Sequence, residues 1–348
     1  MAGHYFPGGN TTEGFFSYYD YILPTKESEY IYTIKGGPGV GKSTFMKKLA
    51  DVKEKKGHKV SYYHCSSDPD SLDGILDETK NILYMDGTSP HIRDPRYPIA
   101  YDKIIDLSQF LDEKKLKKKR KKISELTDET SNYFISSYDY LKSLISIYDS
   151  CNKFFLSSYN ENAVNKKVKS LISEITKNKE GKGYKERKLF LSAITPKGFI
   201  NFIDETINSR NIYIIDGKCG DLSHIILEKL SYELKMLKYS YEVFYCPIFP
   251  KRKIEHIIIP ELDTAIITSN EYHNTEKKGT VISTNSLFDI KPHNRDDYNF
   301  NKELITKITD RAISNIKKAK TTHDHLEKYY INAMDFDALS AYTDKFIK

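Results

Sequence analysis

The chain reads as though it were written twice. FPGGNTTEGFFSYYDYIL, starting at Phe6, lies over FLSAITPKGFINFIDETI, starting at Phe190, without a gap. Phe6 then meets Phe190, Thr11 meets Thr195, Gly14 meets Gly198, Phe15 meets Phe199 and Asp20 meets Asp204. Further on, YIYTIKG (30–36) meets NIYIIDG (211–217), and KKLADVKEKKGHKVSYYHC meets EKLSYELKMLKYSYEVFYC, which sets Cys65 on Cys246. GILDETKNILYMDGTSPH meets HIIIPELDTAIITSNEYH, which sets His91 on His273, and IIDLSQFLD meets VISTNSLFD. Few pairs are identical, yet the order holds and the spacing drifts by only a few residues over about 110 positions. The unit, roughly 170 to 180 residues, is far longer than a solenoid repeat, so each copy is expected to be a domain. The expected domains are 1–182 and 183–348, joined near the polar, glycine-containing NKEGKGYKER (178–187).

In the first copy YIYTIK is β-branched and aromatic and ends at glycines, the pattern of a buried strand. STFMKKLADVKEKKG puts Phe45, Leu49 and Val52 on one face and stops at a glycine, which predicts a helix. HKVSYYH and NILYMD are the next two strands, and IIDL starts a fourth. Strand, glycine loop, helix, strand predicts an α/β fold with a parallel sheet flanked by helices. Phe134, Tyr138, Leu141, Ile145 and Tyr148, then Val164, Val168, Leu171, Ile172 and Ile175, recur at helical spacing and predict an αα-hairpin. The second copy also ends helically, through Ile305, Ile308, Ile313 and Ile316.

Between the first strand and helix, Gly36, Gly37, Pro38, Gly39, Val40, Gly41, Lys42 and Ser43 satisfy G-x-x-x-x-G-K-[ST], with Thr44 following. Such a loop turns N–H groups inward around phosphate, and the helix beginning there adds its positive end. Lys42 is expected to bridge the β- and γ-phosphates, and the Ser43 hydroxyl to hold Mg²⁺ together with Asp86 at the end of the third strand. Asp68 and Asp70, in CSSDPDSLD, are expected on the ligand-binding rim, either contacting a phosphoryl acceptor or its metal, or as an Asx turn capping a following helix. Arg93 and Arg96 could clamp phosphate and His91 assist proton transfer, but a surface loop with ordinary ion pairs is the simpler reading. That His91 recurs as His273 argues for a structural role in both copies.

In the second copy GKCGDLSHI places Leu222, Ser223 and His224 where Gly41, Lys42 and Ser43 stand, and Thr268 where Asp86 stands. Leucine blocks the glycine conformation, serine brings no charge, and Asp221 adds a negative one. The expectation is one working nucleotide site, in the front copy, with the rear copy acting as scaffold, regulator or substrate-binding partner.

No apolar run approaches the roughly 20 residues of a membrane span. Four cysteines without a CxxC pair suit a reduced, cytoplasmic protein. EKKLKKKRKK (113–122) could meet nucleic acid or an anionic membrane, but it reads more simply as the solvated start of a long helix.

GGPGVGKST, HCSSDPDSLDGI, DGTSPHIRDPRYP and SAITPKG together resemble an uncharacterised bacterial family of P-loop ATPases, largely from Firmicutes, with two tandem P-loop-type halves. The resemblance covers nearly the whole chain. It implies two tandem P-loop NTPase-like domains, a cytoplasmic protein and ATP held by Gly36 to Thr44. The family's second half often keeps a recognisable P-loop, from which GKCGDLSH departs. The function expected is a Mg-ATP-binding protein, an ATPase (hydrolase) or small-molecule phosphotransferase, with Lys42, Asp86 and Asp68 as catalytic groups. Its alternatives are a nucleotide-gated binding module with an unknown small-molecule or protein partner, and a nucleic-acid-associated ATPase.

Overall fold

The structure is a computed structural model and describes residues 3–347. Its front half runs β1 (His4–Tyr5), β2 (Gly8–Thr11), β3 (Gly14–Ser17), β4 (Tyr30–Lys35), α1 (Lys42–Lys55), β5 (Val60–Cys65), β6 (Asp68–Asp77), β7 (Ile82–Asp86) and β8 (Asp102–Asp106). Two helices follow, α2 (Glu113–Leu156) and α3 (Glu161–Thr176). The rear half repeats the plan as β9 (Glu186–Leu189), β10 (Ser192–Thr195), β11 (Gly198–Asn201), α4 (Ile203–Thr206), β12 (Asn211–Asp216), α5 (Ser223–Met236), β13 (Tyr241–Tyr245), β14 (Ile254–Ile259), β15 (Thr264–Ser269) and β16 (Thr280–Ser283). It closes with α6 (Arg295–Ile331) and α7 (Phe336–Ile347).

The front sheet has the order β1-β5-β6-β7-β4-β8 and the rear sheet β9-β13-β14-β15-β12-β16, the same order strand for strand. The register agrees as well: Gly74 pairs with Met85 in the front, and His256 with Ile267 in the rear. The duplication read from the sequence is therefore present in the fold.

The sheets are not parallel throughout, which corrects the sequence expectation. Strand β6 runs antiparallel to both β5 and β7, and β14 does the same in the rear. CSSDPD is a tight reversal, with Cys65 paired to Asp68, so the chain returns at once along β5 instead of entering a helix. GILD then fills a central strand position and is buried along its length. The Asx-turn reading, in which this segment caps a helix, fails for the same reason.

The helical segments change sides. The second part of α2 and all of α3 bury Leu144, Cys151, Phe155, Val164 and Val168 against Ile215, Leu227 and Leu230 of the rear half. In return, the end of α6 and α7 bring Met334 and Leu339 against Ile34, Phe45 and Leu49 of the front half. Between the sheets, Ile31, Tyr63 and Leu83 share one apolar cluster with Leu189, Phe244 and Ile267. At the centre the equivalent residues Phe6 and Phe190 pair antiparallel, each N–H donating to the other's carbonyl, at 2.9 and 3.2 Å. Self-pairing of equivalent residues is the signature of a two-fold relation between the copies. The basic run of α2 is exposed, and Lys117 and Lys122 pair with Glu113 and Glu125 of the same helix.

Because each half is roofed by the other's helices, the chain should unfold as one unit. Phe244→Ala, in the shared cluster, should cost about 3–5 kcal/mol and shift a single urea transition followed by circular dichroism. Two resolved transitions would contradict the interlocked core.

Candidate functional site: two glycine loops on one scaffold

The front loop leaves β4 at Lys35 and enters α1 at Lys42. Gly39 and Gly41 take φ of 70° and 90°, the left-handed region that a side chain disfavours. Val40 is buried and anchors the loop from below. Lys42 folds back along the loop, its Nζ donating to the carbonyls of Gly36 (2.8 Å) and Gly37 (3.0 Å) and lying 3.5 Å from Asp86 Oδ2. The other carboxylate oxygen of Asp86 accepts from Thr88 N–H and Thr88 Oγ1, so Asp86 both ends the turn and faces the lysine. Ser43 Oγ accepts from Leu72 N–H of β6 at 2.9 Å, while Thr44 is exposed. The sequence thus named a set of residues that the fold does bring together.

The neighbouring predictions separate. Asp68 lies at the start of β6, 3.3 Å from Lys320 of α6, a lysine contributed by the rear half. Asp70 is exposed and pairs with Lys197. Arg93 is tied to Asp20, Thr25 and Asp102 at 3.1, 3.2 and 3.6 Å, and Arg96 is exposed. These ties fit the simpler reading of HIRDPRYP as an ion-paired loop.

What the sequence did not show is the roof. A Cβ on Gly37 would lie 2.6 Å from the Tyr330 ring, one on Gly39 3.0 Å from Ile331, and one on Gly41 3.1 Å from Leu339. The glycines therefore admit α6 and α7 as well as turning the loop. The rear loop is roofed in the same way, since a Cβ on Gly220 would lie 2.5 Å from Cys151 and 3.7 Å from Tyr148, both on α2. No local pattern betrays a contact between positions so far apart in the chain.

The rear loop has a different interior. Asp221 is buried, and its carboxylate accepts from Lys218 N–H at 2.6 Å and Ser223 N–H at 3.0 Å. Leu222, in the place of Gly41, has φ −100° where the glycine has 90°, so the loop enters its helix by another route. The space left beside Asp221 and His224 is about 40 Å³, room for about two or three waters. Equivalent donors in the front loop face no such carboxylate, because Val40 stands in the place of Asp221.

No protein-family model, curated protein or solved structure matches the chain.

His224 gives the rear loop a pH dependence. Burial first, and the charge of Lys253 second, push its pKa down to about 4. A base with a depressed folded pKa contributes stability that is complete above its unfolded value, near 6.5, and is lost as pH falls from there toward 4. His224 should account for on the order of 2–3 kcal/mol of the stability in urea lost across that window. His224→Phe should reduce the drop without abolishing it, because His64 and His256 are shifted the same way. An unchanged slope in the variant would assign the acid sensitivity elsewhere.

Proposed function

We propose that the front half binds one nucleoside triphosphate with Mg²⁺, ATP in the first instance, and that the rear half binds none. The contrast between the loops carries this reading. On one scaffold, the rear loop spends its amides on its own Asp221, while the front loop has Val40 at that position and keeps a lysine and a helix N-terminus. Anions favour that arrangement, since the loop amides and the helix dipole add to the lysine's charge.

Phosphate entering the loop would take Lys42 Nζ from the carbonyls of Gly36 and Gly37. Ser43 Oγ and Asp86 Oδ2 are hard oxygen donors and fit Mg²⁺, which would neutralise charge on the phosphates. Phosphoryl transfer to water or a small acceptor would then rest on positioning and charge, with Asp68 and Lys320 at the rim. Asp86 is followed by Gly87, so no glutamate stands at the adjacent position as a hydrolytic base.

The roof favours a second element, nucleotide gating. With Tyr330, Ile331 and Leu339 packed on the loop glycines, a nucleotide would displace α7 and the end of α6 to enter. Those helices belong to the rear half, so occupancy of the front loop would be felt there.

Calorimetric titration should find one ATP per chain. Lys42→Ala should weaken binding at least tenfold, the loss of charge-assisted bonds worth about 1.5–3 kcal/mol, and Asp221→Ala should leave it unchanged. Undiminished binding by Lys42→Ala would end the assignment. Hydrogen exchange tests the gating separately: amides of Phe336–Ile347 should exchange faster once ATP is bound, and unaltered protection would argue for a fixed roof.

A further inference from the structure

Behind the front loop lies a cluster the nucleotide reading does not use. Cys65 ends β5, Asp73 sits within β6 and His91 follows β7, and the ligand atoms of the three lie within 4.8 Å of one another. We propose that Cys65, Asp73 and His91 bind a single divalent transition metal ion of the zinc class.

The chemistry of the set fits. Thiolate, carboxylate and imidazole are the ligand types zinc takes, and three protein ligands with one open position are a common arrangement. His91 Nε2 lies 3.2 Å from Asp73 Oδ2. Two such atoms bound to one tetrahedral ion at about 2.0–2.1 Å would stand roughly 3.3 Å apart. Tyr19 and His91 also line a cavity of about 180 Å³, so the set borders open space on the histidine's side. Binding would release the Cys65 proton to solvent as the thiolate joins the metal.

The rear half supplies the independent observation, because it holds the same frame with the cation built in. Cys246, Glu255 and His273 occupy the equivalent places, and His273 packs edge-on against Phe199 as His91 does against Phe15. There Lys253 places its ammonium 2.9 Å from Glu255. Both His273 nitrogens are engaged, Nε2 with Ser192 Oγ at 3.0 Å and Nδ1 with Asn270 Oδ1 at 3.2 Å. In the front half the residue equivalent to Lys253 is Ser71, and those equivalent to Ser192 and Asn270 are Gly8 and Thr88. Asp73 is buried and, among the described residues, has no lysine or arginine paired with it. His91 Nδ1 is buried without a hydrogen-bond partner, and the Tyr19 hydroxyl faces Asp73. The front carboxylate thus meets an imidazole, a phenol and a thiol where its duplicate meets a fixed ammonium, and a divalent ion would take the ammonium's part. The shared ring packing explains why histidine recurs in both copies, and the differing polar partners explain why only the front copy would take metal.

The test uses the full chain, freed of metal with chelator and without nucleotide, titrated with Co²⁺. One equivalent should bind with a sulfur-to-metal charge-transfer band and the intense visible bands of a tetrahedral site, and Zn²⁺ should bleach both. Cys65→Ser should lose the charge-transfer band, and Cys246→Ser should keep it. Ser71→Lys, which imports the rear half's cation, should retain the helical circular dichroism and abolish binding. Zn²⁺ should also raise the Tm of the parent and not that of Cys65→Ser, a readout independent of the lysine variant. The proposal is overturned if the parent binds no Co²⁺, if the band survives in Cys65→Ser, or if folded Ser71→Lys still binds. Failure here would leave the nucleotide reading standing, and the reverse holds too.

Discussion

Helices α2 and α6 pack against one another, with Ser137 Oγ donating to the Ala312 carbonyl at 3.0 Å inside the buried crossing. The rest of the molecule depends on that crossing. It carries the end of each long helix onto the opposite sheet, so that Phe155 covers the rear core and Met334 the front. Neither half could bury its own apolar face alone. A rear copy without a lysine in its loop is therefore not expendable, since α6 and α7 are the cover of the front loop.

The changes have one direction. Where the front loop carries Val40, the rear loop turns its amides onto the carboxylate of Asp221. Where the front half holds Asp73 without a fixed cation, the rear half sets Lys253 against Glu255. Ser192 and Asn270 complete the imidazole's bonds that Gly8 and Thr88 cannot. Each substitution sets beside a buried group of the rear half an internal partner that the front half lacks. Burying charge is costly unless it is paired, so on the proposed reading a half without ligands would need such internal partners, and a half that binds them would not. Duplication makes the comparison direct, because the backbone is the same on both sides.

Much of this was legible in the sequence, and what was hidden has common causes. The loop from Gly36 to Ser43, its flanking strand and helix, Asp86, and the helices around Leu141 and Val164 follow from local periodicity and residue chemistry, and the fold holds them where expected. Strand β6 was missed because DPD reads as a cap, whereas its pairing with β5 is decided by the sheet. The roof was missed because the contact of Tyr330 with Gly37 spans most of the chain. Cys65 and His91 were each seen to recur, but Asp73, opposite Glu255 in the repeat, escaped because a carboxylate in an apolar strand carries no motif.

The roof also changes what the glycines mean. In an isolated phosphate loop, glycine is required by backbone angle alone. Here Gly39 answers to two constraints at once, its φ of 70° and the approach of Ile331 from the other half. A side chain there would strain the loop and push α6 outward together. On the proposed reading, phosphate would do from inside the loop what such a side chain would do from outside. It would alter the surface on which α6 rests, and α6 is continuous with the helix crossing that holds both halves closed. Coupling between the front loop and the rear half then needs no separate relay, because the element that would sense the nucleotide is the one that joins the copies.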